Sequence, residues 1–130
     1  MKSAYIGAFY TVTSTVKESD LASAYKSGNI NVYATPAMIA LMEEAACLCL
    51  AKFLDEGETS VGTAINVSHI SATPVGVEVT ATATISSSSG RLVSFDIAAK
   101  DAYGDIGTAK HTRFVVDTER FMKKTSLKGQ

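Results

Sequence analysis

The sequence predicts an α+β domain in which one long central helix is wrapped by a curved antiparallel sheet of about five strands. Three observations predict it. Residues 33–58, YATPAMIALMEEAACLCLAKFLDEGE, read as a helix whose apolar residues Met38, Ile39, Leu41, Met42, Ala45, Ala46, Leu48, Leu50, Phe53 and Leu54 cover too wide an arc for a surface helix. After Gly57 the period switches from helical to alternating. The alternating stretches are separated by short breaks at Ala72-Thr73-Pro74, Ser86–Gly90 and Asp101–Asp105, which predict antiparallel neighbours. A flat sheet cannot cover such a helix on every side, whereas a strongly curved one covers most of it. The remaining side needs a partner. A second copy of the chain is the simplest one, so a homodimer is expected, with pairing into larger assemblies left open.

Residues 4–17 mix Tyr, Phe, Val and Thr in loose alternation and predict a first strand. Residues 18–32 are small and polar and predict a loop or short helix. The main helix should start with Thr35 as N-cap and Pro36 as its first helical residue. It should stop near Asp55–Gly57. In 61–69 the odd positions Val61, Thr63, Ile65, Val67 and His69 predict the face that meets the helix. In 75–85 that face is Val75, Val77, Val79, Ala81, Ala83 and Ile85; in 91–99 it includes Val93, Phe95 and Ile97. A last strand spans 105–117, and the basic tail with Arg120, Lys123, Lys124 and Lys128 reads as a solvated end. The whole, 1–130, is expected to be a single domain with its core at 10–118.

The totals narrow the function. A net charge of −1 gives no basic excess for nucleic acid, so none is expected as a partner. No apolar run long enough to span a bilayer is free of charges, so no membrane partner is expected either. The N-terminus lacks a clear cleavage site and reads as mature protein. Cys47 and Cys49 lie on different sides of the helix and cannot bond to each other; free core thiols fit a cytoplasmic location. No CxxC or zinc spacing occurs, and no metal is expected.

Three side chains are candidates for chemistry. His69 sits on the helix-facing side of its strand and can exchange a proton near neutral pH; the alternative is a core histidine satisfied by backbone. Glu43 and Glu44 are adjacent on the helix and cannot face the same neighbour, because successive residues are about 100° apart. One of them turned inward could act as base or nucleophile; the alternative is a narrow polar stripe shared with Lys52. Thr35 needs no role beyond capping, but the free amides after Pro36 could hold an oxyanion. Gly62 within a strand marks a close backbone approach to a ligand, or a bulge. Thr35 and Glu43 are about 12 Å apart along a straight helix, so they cannot touch. Either a substrate spans that gap or a dimer seam brings groups of two subunits together.

The pieces V-Y-A-T-P-A-M-I-A-L-M-E-E-A-A (32–46), V-G-T-A-I-N-V-S-H-I-S-A-T-P-V-G (61–76) and H-T-R-F-V-V-D (111–117) together resemble the fluoroacetyl-CoA thioesterase-like branch of the hotdog fold. The resemblance implies a dimeric thioester hydrolase with catalytic roles on Thr35, Glu43 and His69, and it favours Glu43 over Glu44. It implies attack on an acyl-CoA carbonyl, with Glu43 as nucleophile or as base for water, Thr35 positioning and His69 moving protons. It puts Gly62 and Arg113 near the substrate pocket and calls for no metal or cofactor beyond the CoA of the substrate. One departure concerns the acyl group: the fluoroacetyl-specific enzyme has aromatic residues gating its pocket before the helix, and Lys26–Asn31 here contain no Phe. Arg91, Lys110 and Arg113 are candidates for CoA phosphate contacts or plain surface residues. The rival readings are a module that binds acyl-CoA or another apolar ligand without turnover, and a dehydratase or isomerase built from the same His and carboxylate.

Overall fold

A computed structural model describes residues 1–130. Strand β1 (Phe9–Thr15) is followed by a 3₁₀ turn (Glu18–Asp20) and a single helical turn, α1 (Ala22–Tyr25). The long helix α2 spans Thr35–Ala51. Strands β2 (Glu58–His69), β3 (Glu78–Ser89), β4 (Leu92–Asp101) and β5 (Gly104–Asp117) complete the sheet, and α3 (Thr118–Ser126) closes the chain. The tail is therefore a helix, not a loose end: Asp117 caps it by accepting from the Arg120 backbone N–H at 2.9 Å.

All pairings are antiparallel, in the order β1-β3-β4-β5-β2. The β3–β4 and β4–β5 connections are tight hairpins as expected, but the first turns later than the break at Ser86–Gly90 implied: Ser86–Ser89 continue β3, and only Gly90 and Arg91 lie between the strands. The break at 72–74 does not make a hairpin. β2 lies at one edge beside β5 and β3 lies next to β1, so residues 70–77 cross from one side of the sheet to the other. Thr73 is buried in that crossing, donating to Asp101 Oδ2 at 2.8 Å while its carbonyl accepts from the Tyr33 N–H.

The sheet curls around α2 as its alternation requires. Val79, Ala81, Ala83, Ile85, Val93, Phe95, Ile97 and Val115 pack against Met38, Met42, Ala45, Ala46, Cys49 and Leu50, all buried. The helix is not covered all round, however. Pro36, Ala40, Glu44 and Leu48 are exposed at every fourth residue, beside half-buried Thr35, Ile39, Glu43 and Cys47. Ile39 and Leu48 on this stripe are the part of the predicted apolar set that one chain leaves open, with Ala40 between them. Helix α2 also ends earlier than expected, at Ala51. Phe53 folds back into the core, and Gly57, at φ +85°, turns the chain into β2.

Strand β2 carries the correction that matters most. A bulge between Gly62 and Ala64 shifts its register against β5. Before the bulge the inward residues are Ser60, paired with buried Val115, and Gly62, paired with buried Arg113. After it they are Ile65, Val67 and His69, paired with His111, Ala109 and Gly107. Val61 pairs with exposed Phe114 on the outer face, and the hydroxyl of Thr63 meets that of outward Thr112 at 2.8 Å. The odd face expected for the whole strand is thus inward only beyond the bulge.

Candidate functional site

Two polar clusters lie on the open side of α2 where it borders β2. The first forms at the helix N-terminus. The chain enters the helix one residue early: Ala34 is the N-cap, and its carbonyl accepts from the Met38 N–H. Thr35 is therefore the first helical residue and does not cap. Its Oγ1 instead lies 2.8 Å from His69 Nδ1, brought there by the inward turn of the last residue of β2. Burial pushes the His69 imidazole below its usual range, opposed only partly by the Ser71 backbone. The ring is neutral at pH 7 and carries one N–H. With the Thr35 hydroxyl donating to Nδ1, that N–H sits on Nε2, which is buried and makes no hydrogen bond of ordinary geometry, the Ser71 backbone being the polar group that bears on the ring.

Around this pair lies a cleft of about 380 Å³ that also takes in Gly28, Ile30, Val32, Tyr33 and Ile70. Tyr33 stands edge-on to the His69 ring, with centroids 6.5 Å apart. Its hydroxyl donates to the Ala37 carbonyl at 3.3 Å, and burial above all pushes its pKa up to about 12, so it stays protonated. The segment 26–31 borders the cleft with small and aliphatic side chains only.

The second cluster sits two helical turns further on. Glu43 is half-buried and Glu44 exposed, so Glu43 is the one of the pair turned toward β2 and Arg113. Glu43 does not face an apolar wall. Its Oε2 lies 3.6 Å from Arg113 Nη1. Arg113 is buried: Nε donates to Ser60 Oγ at 2.9 Å, Nη2 to the Ser60 carbonyl at 3.0 Å, and Nη1 lies 3.3 Å from His111 Nε2. The other ring nitrogen of His111 is 2.7 Å from the Ala64 carbonyl. A methyl group on Gly62 would stand 2.8 Å from Glu43 Oε2, 3.2 Å from His111 Cε1 and 3.4 Å from Arg113 Nη1. Gly62 is thus both a neighbour of the bulge and a close approach, and what approaches it is the protein's own cluster.

The structure brings Thr35 to His69, and it brings Gly62 and Arg113 to Glu43. Within one chain it does not join the two groups. Arg113 is no surface contact for phosphate; Arg91 is paired with Glu58 at 3.0 Å and Lys110 with Asp96. His111 and Ser60 were not singled out from sequence. His111 was detectable, because it alternates with Arg113 and Val115 on one strand face. Ser60 was not, because its inward turn depends on the bulge.

The family model described as "FlK: Fluoroacetyl-CoA-specific thioesterase" matches residues 16–119. The fluoroacetyl-CoA thioesterase of Streptantibioticus cattleyicolor is 43% identical over 97 residues, covering 75% of this chain and 70% of that protein. A solved structure of the fluoroacetyl-CoA thioesterase FlK superposes with a TM-score of 0.91 at 34% identity, covering 98% of each chain. A threonine-to-serine variant of FlK in complex with acetyl-CoA gives a TM-score of 0.92 at 33% identity, covering 98% of this chain and 100% of that one.

Proposed function

The chain belongs to the fluoroacetyl-CoA-specific thioesterase family and is a hotdog-fold acyl-CoA thioester hydrolase, and on that premise we propose that it cleaves a small or medium acyl-CoA with Thr35 and His69 of one subunit facing Glu43 of another. The observation that carries this reading is the separation of the two clusters along one open groove. Each is half of a hydrolytic site, and they are about 12 Å apart in one chain.

The free edge of β2 supplies the join. A long unpaired edge strand beside an open helix stripe is a ready template for a second copy. If β2 pairs antiparallel with its own copy about a two-fold axis at Asn66, Ile65 falls opposite the partner's Val67 and, with the extra residue of the bulge skipped, Gly62 falls opposite the partner's His69 on the same inward face. Glu43, which stands over Gly62, then approaches the partner's His69. The apolar residues Ile39, Ala40 and Leu48 cover one another in the same step.

In that site the thioester carbonyl lies in the cleft beside Thr35. Water adds its oxygen to the carbonyl carbon and gives one proton to Glu43. Charge growing on the carbonyl oxygen or on sulfur is met by His69 Nε2–H and by the free amides at the start of α2. The C–S bond then breaks, the CoA thiolate leaves with the proton that Glu43 took from water, which returns Glu43 to its carboxylate, and the acid is released. CoA enters only as part of the substrate. The cleft wall of Gly28, Ile30 and Val32 supports an aliphatic acyl group, and the buried or half-buried free thiols of Cys47 and Cys49 support a reducing, cytoplasmic setting.

Thiol release across acyl-CoAs of increasing chain length tests the reading. Glu43→Ala and His69→Ala should each lower kcat by roughly 1,000-fold or more, as loss of a base or an oriented donor does, with the dimer intact by light scattering. Wild-type turnover in either variant, or a stable monomer that turns over at the full rate, would overturn it.

A further inference from the structure

We propose that His111 is a positioning residue for this hydrolysis: its Nε2 accepts from Arg113 and so aims the guanidinium at Glu43, while the carbonyl beside the β2 bulge fixes its own tautomer. The proposal rests on the assignment of Glu43 to the reaction.

The hydrogen-bond pattern leaves one arrangement. The Ala64 carbonyl can only accept, so the 2.7 Å contact puts the imidazole proton on Nδ1. Nε2 is then an acceptor, and Arg113 Nη1 is the donor that reaches it. Arginine's donors lie in one rigid plane. Ser60 takes Nε and Nη2, which sets the plane; His111 takes one hydrogen of Nη1, which leaves the other directed to Glu43 Oε2. Glu43, Arg113 and His111 converge over the bare Cα of Gly62, so a turn of the guanidinium changes the charge that the carboxylate meets at 3.6 Å.

The arrangement depends on His111 staying neutral. A proton on Nε2 would set N–H against N–H and one cation against another. Burial holds His111 below its usual range, and the Arg113 charge adds to this; the Ala64 carbonyl and Glu43 act the other way. These are the charged groups that bear on it from α2 and β5. Its neighbour on β4 is the Phe95 ring, with centroids 6.2 Å apart. The bulge is therefore part of the catalytic apparatus at one remove: it supplies the carbonyl that orients the ring that orients the arginine.

Two variants and one spectrum test this. In wild-type protein, imidazole ¹⁵N spectra should show His111 as the Nδ1–H tautomer at pH 7; an Nε2–H tautomer overturns the proposal and needs no variant to fold. His111→Leu removes the acceptor and should lower kcat on the order of 100-fold, the effect of displacing a reacting group by about 1 Å, with KM little changed. His111→Gln restores an acceptor that does not titrate. It should recover kcat to within a few fold and remove the His111 share of the acid limb of the pH profile. His111→Leu at wild-type kcat overturns the proposal, as does a folded His111→Gln as slow as His111→Leu. Absence of thiol release from the wild type would instead strike the hydrolase assignment, leaving the tautomer as a separate result.

Discussion

The two ends of the open groove solve the problem of a buried polar group in opposite ways. At the Thr35–His69 end the groups are neutral, sparsely bonded and open to a cleft. One ring nitrogen is engaged and the other makes no hydrogen bond of ordinary geometry. At the Glu43 end nearly every donor and acceptor is taken: Arg113 binds Ser60 twice and His111 once, and His111 binds the Ala64 carbonyl. The first end is built to receive something, since an unmet buried donor is costly until a ligand meets it. The second holds one guanidinium in place beside a half-open carboxylate. On the proposed reading a hydrolase draws on both, a donor for charge that develops and a base for water, and the 130-residue chain by itself keeps them apart.

The comparison breaks most readily at Gly62. Its missing side chain is the space that Glu43 Oε2 occupies, at 2.8 Å from where a methyl would be. The obstructed atom is the far end of a flexible side chain, so Gly62→Ala should fold and melt close to wild type. Glu43 must then move, and kcat should fall on the order of 100-fold. Thiol release and thermal melting on the same preparation check the split. Unchanged turnover would mean that rigidity at this end is not used.

How much of this was legible in the residues follows the range of the interactions. The alternation of Val79, Ala81, Ala83 and Ile85 and the breadth of apolar residues on α2 are local patterns, and they led to the right layers. The partnership of β2 with β5 is not local. Nothing in Ala72-Thr73-Pro74 distinguishes a crossing from a hairpin, because both need a turn. The bulge is subtler still. One extra residue at Thr63 reverses which side chains of β2 face inward, so Ser60 and Gly62 replace Val61 and Thr63 at the helix. The Thr-Pro signal was read as a cap, yet the same two residues fit a helix begun one position earlier, and that shift releases the hydroxyl for His69. Arg113 looked like a surface cation because arginine usually is one. Only the inward face it shares with His111 and Val115 shows otherwise.

A smaller effect sharpens the Thr35 end. If the hydroxyl serves His69 and not the helix, its contribution should vanish when the ring is gone. Thr35→Ala alone should cost about 1 kcal/mol, the net value of one hydrogen bond, and close to nothing on a His69→Ala background. Denaturant unfolding at fixed protein concentration measures both. An equal cost on the two backgrounds would return Thr35 to the capping role.

The smallest effect is shared by both ends, and acid should reveal it. His69 and His111 are both held below the ordinary histidine value of 6.5, chiefly by burial. In the unfolded chain each titrates near that value, so below it the unfolded state binds more protons than the folded one. Stability therefore rises with pH through this window and falls as pH drops beneath 6.5. His69 is only half-buried, so its share of the slope should be shallow. The two ends differ in what else bears on the ring: at His69 the Ser71 backbone favours the proton, whereas at His111 the Arg113 charge opposes it and the Ala64 carbonyl and Glu43 favour it. Melting temperature followed from pH 7 downward should therefore flatten in both His69→Gln and His111→Gln. A slope left unchanged by either substitution would mean that burial does not hold that ring low.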